Sequence, residues 1–180
     1  MRRTCWLIGI MIALALTAVA SGAARAEAVT RVPAERLAEA IAAAAPGDTI
    51  EVTGGVFHGN LVADKPLTLI GLDGATLDAG GEGTVLRLEG EGSVVRGFTI
   101  RNSGNSLDRE DSGIVAAAPR ALVEDNRLEN VLFGIYINAA PGTTVRGNEI
   151  TGRDLEVARR GALGRLWAGD AGRPAGAATH

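Results

Sequence analysis

Sulfur is almost absent from this 180-residue chain. Its single cysteine, Cys5, and both methionines, Met1 and Met11, lie within the first 26 residues. Beyond that point the chain can form no disulfide and can offer no thiolate to a substrate or a metal ion. Burial of apolar side chains must therefore hold the folded part together, and about 150 residues are enough for one sizeable core.

Imidazole and aromatic groups are also scarce. The chain has two histidines, His58 and His180, and aromatic residues make up 3% of it. We expect His58 in a turn, and a lone histidine without sulfur ligands nearby is not the pattern of a soft-metal site. We therefore expect this chain itself to bind no cofactor. Few aromatic side chains remain for stacking on sugar rings.

The first 26 residues have the pattern of a secretory signal peptide. Arg2 and Arg3 give a positive start, residues 6–20 are almost continuously apolar, and Ala24 and Ala26 are the small residues before a cleavage site. The apolar run is shorter than the roughly 20 residues of a membrane-spanning helix. We predict cleavage after Ala26, a periplasmic location and no membrane insertion of the mature chain.

Removal of the signal peptide makes the chain more acidic. Three arginines leave with it and every carboxylate stays, so 18 basic residues become 15 against 21 acidic ones, a net charge of -6. A surface with this charge repels phosphate backbones and anionic lipids. Nucleic acid is therefore not an expected partner.

Residues 27–48 are predicted to contain a leader and one amphipathic helix over residues 33–45. The apolar side chains on one helical face are Leu37, Ala40, Ile41 and Ala44, spaced at i, i+3, i+4 and i+7. A Pro-Gly-Asp sequence at 46–48 ends the helix. A single helix before a run of strands fits a cap over the open end of an apolar core. The alternative is the first helix of an ordinary mixed domain.

Residues 49–153 consist of short β-rich runs separated by glycine, asparagine and aspartate. Two different segments recur there in the same order. Residues 122–128 (LVEDNRL) match residues 144–150 (TVRGNEI) at a spacing of 22, and residues 112–115 (SGIV) match residues 133–136 (FGIY) at a spacing of 21. Repetition of two segments at nearly one period is typical of a stacked repeat protein.

A period near 22 with short strands predicts an all-β fold, a right-handed parallel β-helix of about five turns, here called rungs. Asn126 and Asn148 fall at equivalent corners, where their side-chain amides can bond to the next rung as a structural ladder. Six apolar residues are expected to point inwards: Ile114, Val123, Leu128, Ile135, Val145 and Ile150. Residues 154–180 lose the repeat, and we expect a weakly ordered tail with a partial rung around residues 163–167, or a helical plug.

The least repetitive stretch of the β-helix is residues 101–111, which is longer than a turn needs to be. Insertions in solenoids project from one face, and this face often binds partners. The alternative is a loop that is merely solvated. We predict a candidate partner-binding loop made of Arg101, Asn102, Asn105, Asp108, Arg109, Glu110 and Asp111.

The carboxylates of the same stretch also allow a catalytic interpretation. Sugar-cleaving β-helices use paired carboxylates, or carboxylates around calcium with a basic group, and Arg101 or Arg109 could be that group. However, Asp108, Glu110 and Asp111 lie within four residues of one loop, and no second cluster recurs at the rung spacing. We therefore predict no catalytic residues, no metal ligands and no enzymatic activity.

An ordered set of segments resembles the NosD family of periplasmic β-helix proteins over about residues 37–153. The segments are residues 44–52 (AAPGDTIEV), 54–57 (GGVF), 64–71 (DKPLTLIG), 75–78 (ATLD), 95–100 (VRGFTI), 111–114 (DSGI), 132–136 (LFGIY) and 145–153 (VRGNEITGR). Single motifs of this kind occur in many β-helices, whereas the ordered set is moderately specific.

The resemblance implies a non-catalytic accessory protein for copper-site maturation in nitrous oxide reductase. Its implied partners are an ABC transporter permease and ATPase, and the reductase or a copper chaperone, with copper handled by this wider system. Family members are far longer, so the resemblance also implies a truncated or frameshifted copy. The alternative function is a carbohydrate-binding or sugar-cleaving secreted β-helix, of lyase or glycosidase type.

Overall fold

Short strands alternate around three sides of the molecule in residues 27–153, the part of the chain that the computed structural model describes. The predicted signal peptide (residues 1–26) and the predicted tail (residues 154–180) lie outside the described residues. Fifteen strands, one turn of 3₁₀ helix and one α-helix make up the described part.

The strands form three parallel sheets. Sheet 1 contains, in spatial order, β1 (Val29–Pro33), β2 (Thr49–Thr53), β5 (Thr68–Leu72), β8 (Val94–Arg96), β11 (Leu122–Glu124) and β14 (Thr144–Arg146). Sheet 2 contains β3 (Val56–His58), β6 (Thr76–Asp78), β9 (Thr99–Arg101), β12 (Arg127–Val131) and β15 (Glu149–Gly152). Sheet 3 contains β4 (Leu61–Ala63), β7 (Leu86–Leu88), β10 (Ser112–Ala116) and β13 (Phe133–Ile137).

From β2 onwards, successive strands lie in successive sheets, so the chain winds as a parallel β-helix, and the predicted fold class is confirmed. The register agrees with the sequence repeat, since Leu122 pairs with Thr144 and Ile114 pairs with Ile135. Sheet 1 has six strands, which makes about six rungs where about five were predicted. The additional strand is β1, in the stretch predicted as a leader.

Two local expectations were wrong: the leader contains a strand, and His58 lies in a strand and not in a turn. Both short strands form because they pair with a strand of the neighbouring rung. β1 pairs with β2 along its whole length, although its sequence VTRVP has no clear alternation. His58 lies at the end of β3 and pairs with Asp78 of β6, whereas a turn was expected there. In both segments, pairing with the next rung overrides weak local preference.

The helical segment covers one end of the core, as predicted. After β1, a 3₁₀ turn (Ala34–Arg36) and helix α1 (Leu37–Ala43) take the positions that strands occupy in sheets 2 and 3 on later rungs. Leu37 and Ile41 are buried in the core. The Lys65 ammonium donates to the carbonyl oxygens of Ala42 (3.0 Å) and Ala44 (2.8 Å), where a positive charge stabilises the carboxyl end of the helix. None of the helices within residues 27–153 has the length and apolar character needed to cross a membrane.

Stacked apolar side chains fill the interior. In sheet 1 the register stacks Ile50, Leu69, Val95 and Val123, all fully buried, and in sheet 2 it stacks Leu77, Ile100 and Leu128 in the same way. Val145 and Ile150 continue these columns in the same register and are 41% and 49% exposed. Since β14 and β15 are the last strands of their sheets in residues 27–153, no further described strand covers them.

Asn126 and Asn148 lie one above the other at the corner between sheets 1 and 2. The Asn126 side chain accepts a hydrogen bond from the Phe98 amide (3.1 Å) and donates to the Val95 carbonyl oxygen (3.1 Å) and to Asn148 Oδ1 (3.0 Å). The Asn148 side chain donates in turn to the Val123 carbonyl oxygen (2.9 Å). These amides satisfy backbone groups at a bend where strand pairing cannot.

We expect Asn126→Ala to lower the free energy of unfolding by about 2–4 kcal/mol, because it leaves a buried amide and a buried carbonyl oxygen without their partners. Urea unfolding followed by circular dichroism measures this change. The control is Asn138→Ala, which removes an exposed asparagine and should change stability by less than about 0.5 kcal/mol. Equal effects of the two substitutions would contradict the ladder.

Candidate functional site

Two unusually long turns project where the chain passes from sheet 2 to sheet 3. At this corner β3 and β4 are joined by two residues and β12 and β13 by one, whereas residues 79–85 join β6 to β7 and residues 102–111 join β9 to β10. The two long turns belong to neighbouring rungs. We call residues 79–85 and 102–111 together the ridge.

The two turns of the ridge pack directly on each other. The Gly81 amide donates to the Asn102 carbonyl oxygen (2.9 Å), and the Gly104 amide donates to the Gly83 carbonyl oxygen (2.6 Å). A Cβ atom at Gly104 would lie 2.3 Å from the Gly83 amide nitrogen and 2.1 Å from Asp111 Oδ2. Only glycine at position 104 permits this close approach of the two backbones. The turns 79–85 and 102–111 are therefore two layers in direct contact.

A buried carboxylate organises the longer turn. Asp111 is 1% exposed, and its Oδ2 accepts hydrogen bonds from the Ser106 amide (2.8 Å) and from Arg109 Nη2 (3.2 Å). Burial alone would raise the pKa of the Asp111 carboxyl, but these hydrogen bonds and the positive charge of Arg109 outweigh it and hold the pKa below its ordinary value. The carboxylate is therefore charged at neutral pH and holds the turn in one conformation.

The base of the ridge is fixed by a second buried carboxylate, Asp78. It accepts hydrogen bonds from Arg101 Nε (2.8 Å) and Asn102 Nδ2 (2.8 Å), and Asn130 Nδ2 donates to Asn102 Oδ1 (2.8 Å). Burial raises the pKa of the Asp78 carboxyl. The hydrogen bonds from Asn102, the Gly80 amide and Arg101 outweigh this effect and hold the pKa below its ordinary value. Arg101 and Asn102 thus belong to the internal structure of the β-helix.

Further contacts attach the ridge to the rung that follows it. The Leu132 amide donates to Ser103 Oγ (2.9 Å), and the Arg153 guanidinium donates to the Ser103 carbonyl oxygen. The Glu110 carboxylate beside the Tyr136 hydroxyl, together with partial burial, raises the pKa of Tyr136. The turn is therefore held at its base and near its end.

The seven residues of the candidate binding loop separate into two groups. Asn105, Asp108, Arg109 and Glu110 are exposed, whereas Arg101, Asn102 and Asp111 make internal contacts. Sequence reasoning missed Leu107, which is 68% exposed, the highest value among the large apolar side chains of residues 27–153. It also missed the turn 79–85. The sequence held two signals of these features. They are the glycines at 80, 81 and 83 in the turn 79–85, and the single leucine of the polar loop.

The buried carboxylates of residues 27–153 serve mainly as partners of arginine or of backbone amides. Asp78 pairs with Arg101 (2.8 Å), Asp111 with Arg109 (3.2 Å), and Glu124 with Arg146 (2.6 Å). Asp48 accepts from two backbone amides beside the helical cap. Within residues 27–153, no group of three or more histidine, cysteine, aspartate or glutamate side chains is placed to hold a metal ion.

Proteins named NosD are similar in sequence to this chain. A "Probable ABC transporter binding protein NosD" of Pseudomonas aeruginosa is 36% identical over 147 residues, which cover 80% of this chain and 32% of that protein. The protein of the same name from Stutzerimonas stutzeri is 28% identical over 144 residues, 78% of this chain and 31% of that protein. The chain is related to the NosD family. The resemblance given above is thereby confirmed.

The chain spans about a third of the length of these two NosD relatives. A further NosD protein of Pseudomonas aeruginosa is 36% identical over 64 residues, which are 36% of this chain and 59% of that protein. No family sequence model matches the chain. No solved structure is significantly similar to it.

We expect Asp111→Asn to destabilise the protein by about 1–3 kcal/mol at pH 7, because it removes the ion pair with Arg109 and weakens the bond from the Ser106 amide. The pKa of Asp111 is lowered in the folded state, so its contribution is complete above the unfolded pKa and is lost as the pH falls through the folded value, below about pH 4. The stability difference between wild type and variant should therefore shrink between pH 7 and pH 3.

Urea unfolding at the two pH values measures this difference. Asp108→Asn serves as the control, since Asp108 is an exposed carboxylate of the same turn and its substitution should change stability by less than about 0.5 kcal/mol. A difference of the same size at pH 7 and pH 3 would contradict the assigned role of the Asp111 charge.

Proposed function

We propose that this chain is an exported, non-catalytic accessory protein of an ABC transporter. The observation that carries the proposal is its relation to NosD proteins, which are named probable ABC transporter binding proteins. We further propose that it assists copper-site maturation of nitrous oxide reductase in the periplasm, with the transporter permease and ATPase and with the reductase or a copper chaperone as partners. This finer role is the one that the NosD resemblance implies.

The distribution of polar groups favours a protein that holds partners. The buried carboxylates are used in ion pairs and turn contacts, which leaves them poorly suited to acid and base catalysis on a substrate. Of the three phenylalanines, Phe98 is buried, Phe57 packs against the core and Phe133 is 38% exposed, which leaves one phenylalanine ring open for a sugar. Binding is the function that such a rigid scaffold with one projecting ridge supports best.

The donor atoms of the chain favour copper handling by its partners. Copper in its cuprous form prefers thiolate and thioether ligands, and the sequence has neither after residue 26. His58, the histidine of residues 27–153, lies at the exposed end of β3 and belongs to no group of possible metal ligands within those residues. The proposed contribution is therefore to position proteins that carry copper, and not to carry the ion.

We expect the mature chain to show no tight stoichiometric binding of cuprous ion. Titration against a competing cuprous chelator under anaerobic conditions measures this, with His58→Gln as the matched variant. If wild type bound one equivalent tightly and the variant did not, the role would change to direct copper transfer through that imidazole.

Deletion of the gene in a nitrous-oxide-reducing host should lower the copper content of the reductase, and the full chain supplied from a plasmid should restore it. Metal analysis of the purified reductase gives the readout, and a chain without its signal peptide is the negative control. Normal copper loading in the deletion strain, or failure of the full chain to restore it, would contradict the proposed function.

A further inference from the structure

We propose that the ridge is a preorganised docking surface for a protein, with Leu107 as its central contact. The inference relies on the proposed accessory role only for the identity of the partner. Three features of the molecule support the surface: the exposure of Leu107, the contacts that fix the turn, and the charges around the turn.

The exposure of Leu107 has no explanation in the repeat. The other exposed large apolar side chains of residues 27–153 all lie on strands, and three of them, Ile137, Val145 and Ile150, continue columns of the core on the last described strand of each sheet; the remaining three are Val29, Val62 and Phe133. Leu107 lies outside every strand and has no equivalent on a neighbouring rung. Covering this leucine with another protein surface would remove its apolar area from water and so favour association.

The turn that carries Leu107 is fixed before any partner arrives. Asp111 holds Ser106 and Arg109, on the two sides of the tip. The Glu110 amide also donates to the Leu107 carbonyl oxygen (3.2 Å), which closes the tip. Association then costs little conformational entropy, because the contact residue is already in place.

The charges around the tip indicate the chemistry of the partner. Glu82, Asp108 and Glu110 are exposed, while the exposed Arg109 is paired with Asp111. An apolar centre within an acidic rim fits a protein surface that has an apolar pocket with lysine or arginine at its edge. Anionic lipid is repelled by the same rim, and a single leucine provides no stacking surface for a sugar.

A photo-crosslinking residue in place of Leu107 tests this surface in the full chain, expressed in its own host. p-Benzoylphenylalanine replaces Leu107 in one strain and Val29 in a control strain. Val29 is matched for exposure, at 66% against 68%, and lies on β1, three rungs away from the turn that carries Leu107. We expect one discrete protein adduct from position 107, no such adduct from position 29, and loss of the adduct when Asp111→Ala releases the turn.

The crosslinked protein is then purified, and its Kd for the wild-type chain is measured. We expect Leu107→Asp to weaken binding by about 30-fold or more, as at a central interface contact, and Val29→Asp to leave it unchanged. Leu107→Ala removes the apolar contact without adding charge and should weaken binding by about tenfold. Binding should also weaken as salt rises, since the rim charges are screened.

The outcomes separate this proposal from the proposed function. An adduct with a transporter subunit, the reductase or a copper chaperone supports both. An adduct with a different protein that shows the stated loss of affinity supports the ridge and contradicts the proposed partners. No adduct at position 107, equal adducts at both positions, or unchanged affinity of Leu107→Asp would overturn the docking surface.

Discussion

Each strand of this chain pairs in parallel with the equivalent strand one rung away, so that every side chain lies directly over its counterpart. Inside, this constraint requires columns of apolar side chains. Outside, it requires that neighbouring charges have opposite sign, because like charges in contact repel. On the outer face of sheet 1, Glu51 pairs with Arg31 at 2.6 Å, and Glu124 lies between Arg96 at 3.7 Å and Arg146 at 2.6 Å.

The same constraint decides where extra chain can be inserted. A residue added within a strand would shift the register of its sheet and turn the apolar column outwards. A residue added at a corner leaves all three sheets intact. The stacked amides of Asn126 and Asn148 lie at the corner between sheets 1 and 2, and the two longest turns lie at the corner between sheets 2 and 3.

The repeat in the sequence made the architecture predictable. Features that depend on contacts between residues far apart in the chain could not be predicted. The spacing of residues 112–115 and 133–136 gave the register of β10 and β13, and the apolar spacing over α1 gave the capping helix. Strand β1 was missed because it is defined by its pairing with β2. The burial of Asp111 could not be read from the sequence, since it depends on how the turn brings Ser106 and Arg109 to one carboxylate.

The candidate site was likewise predictable only where the sequence pattern marks it. Its position followed from the break in the repeat at residues 101–111, whereas its second layer, residues 79–85, depends on the approach of Gly104 to Gly83. In a solenoid each rung contacts only its neighbours, so the effects of substitutions stay local. Changes at the tip of the ridge lie outside the stacked columns that stabilise the fold. Binding by this surface is therefore separable from folding, and loss of function at Leu107 reports on contact with a partner.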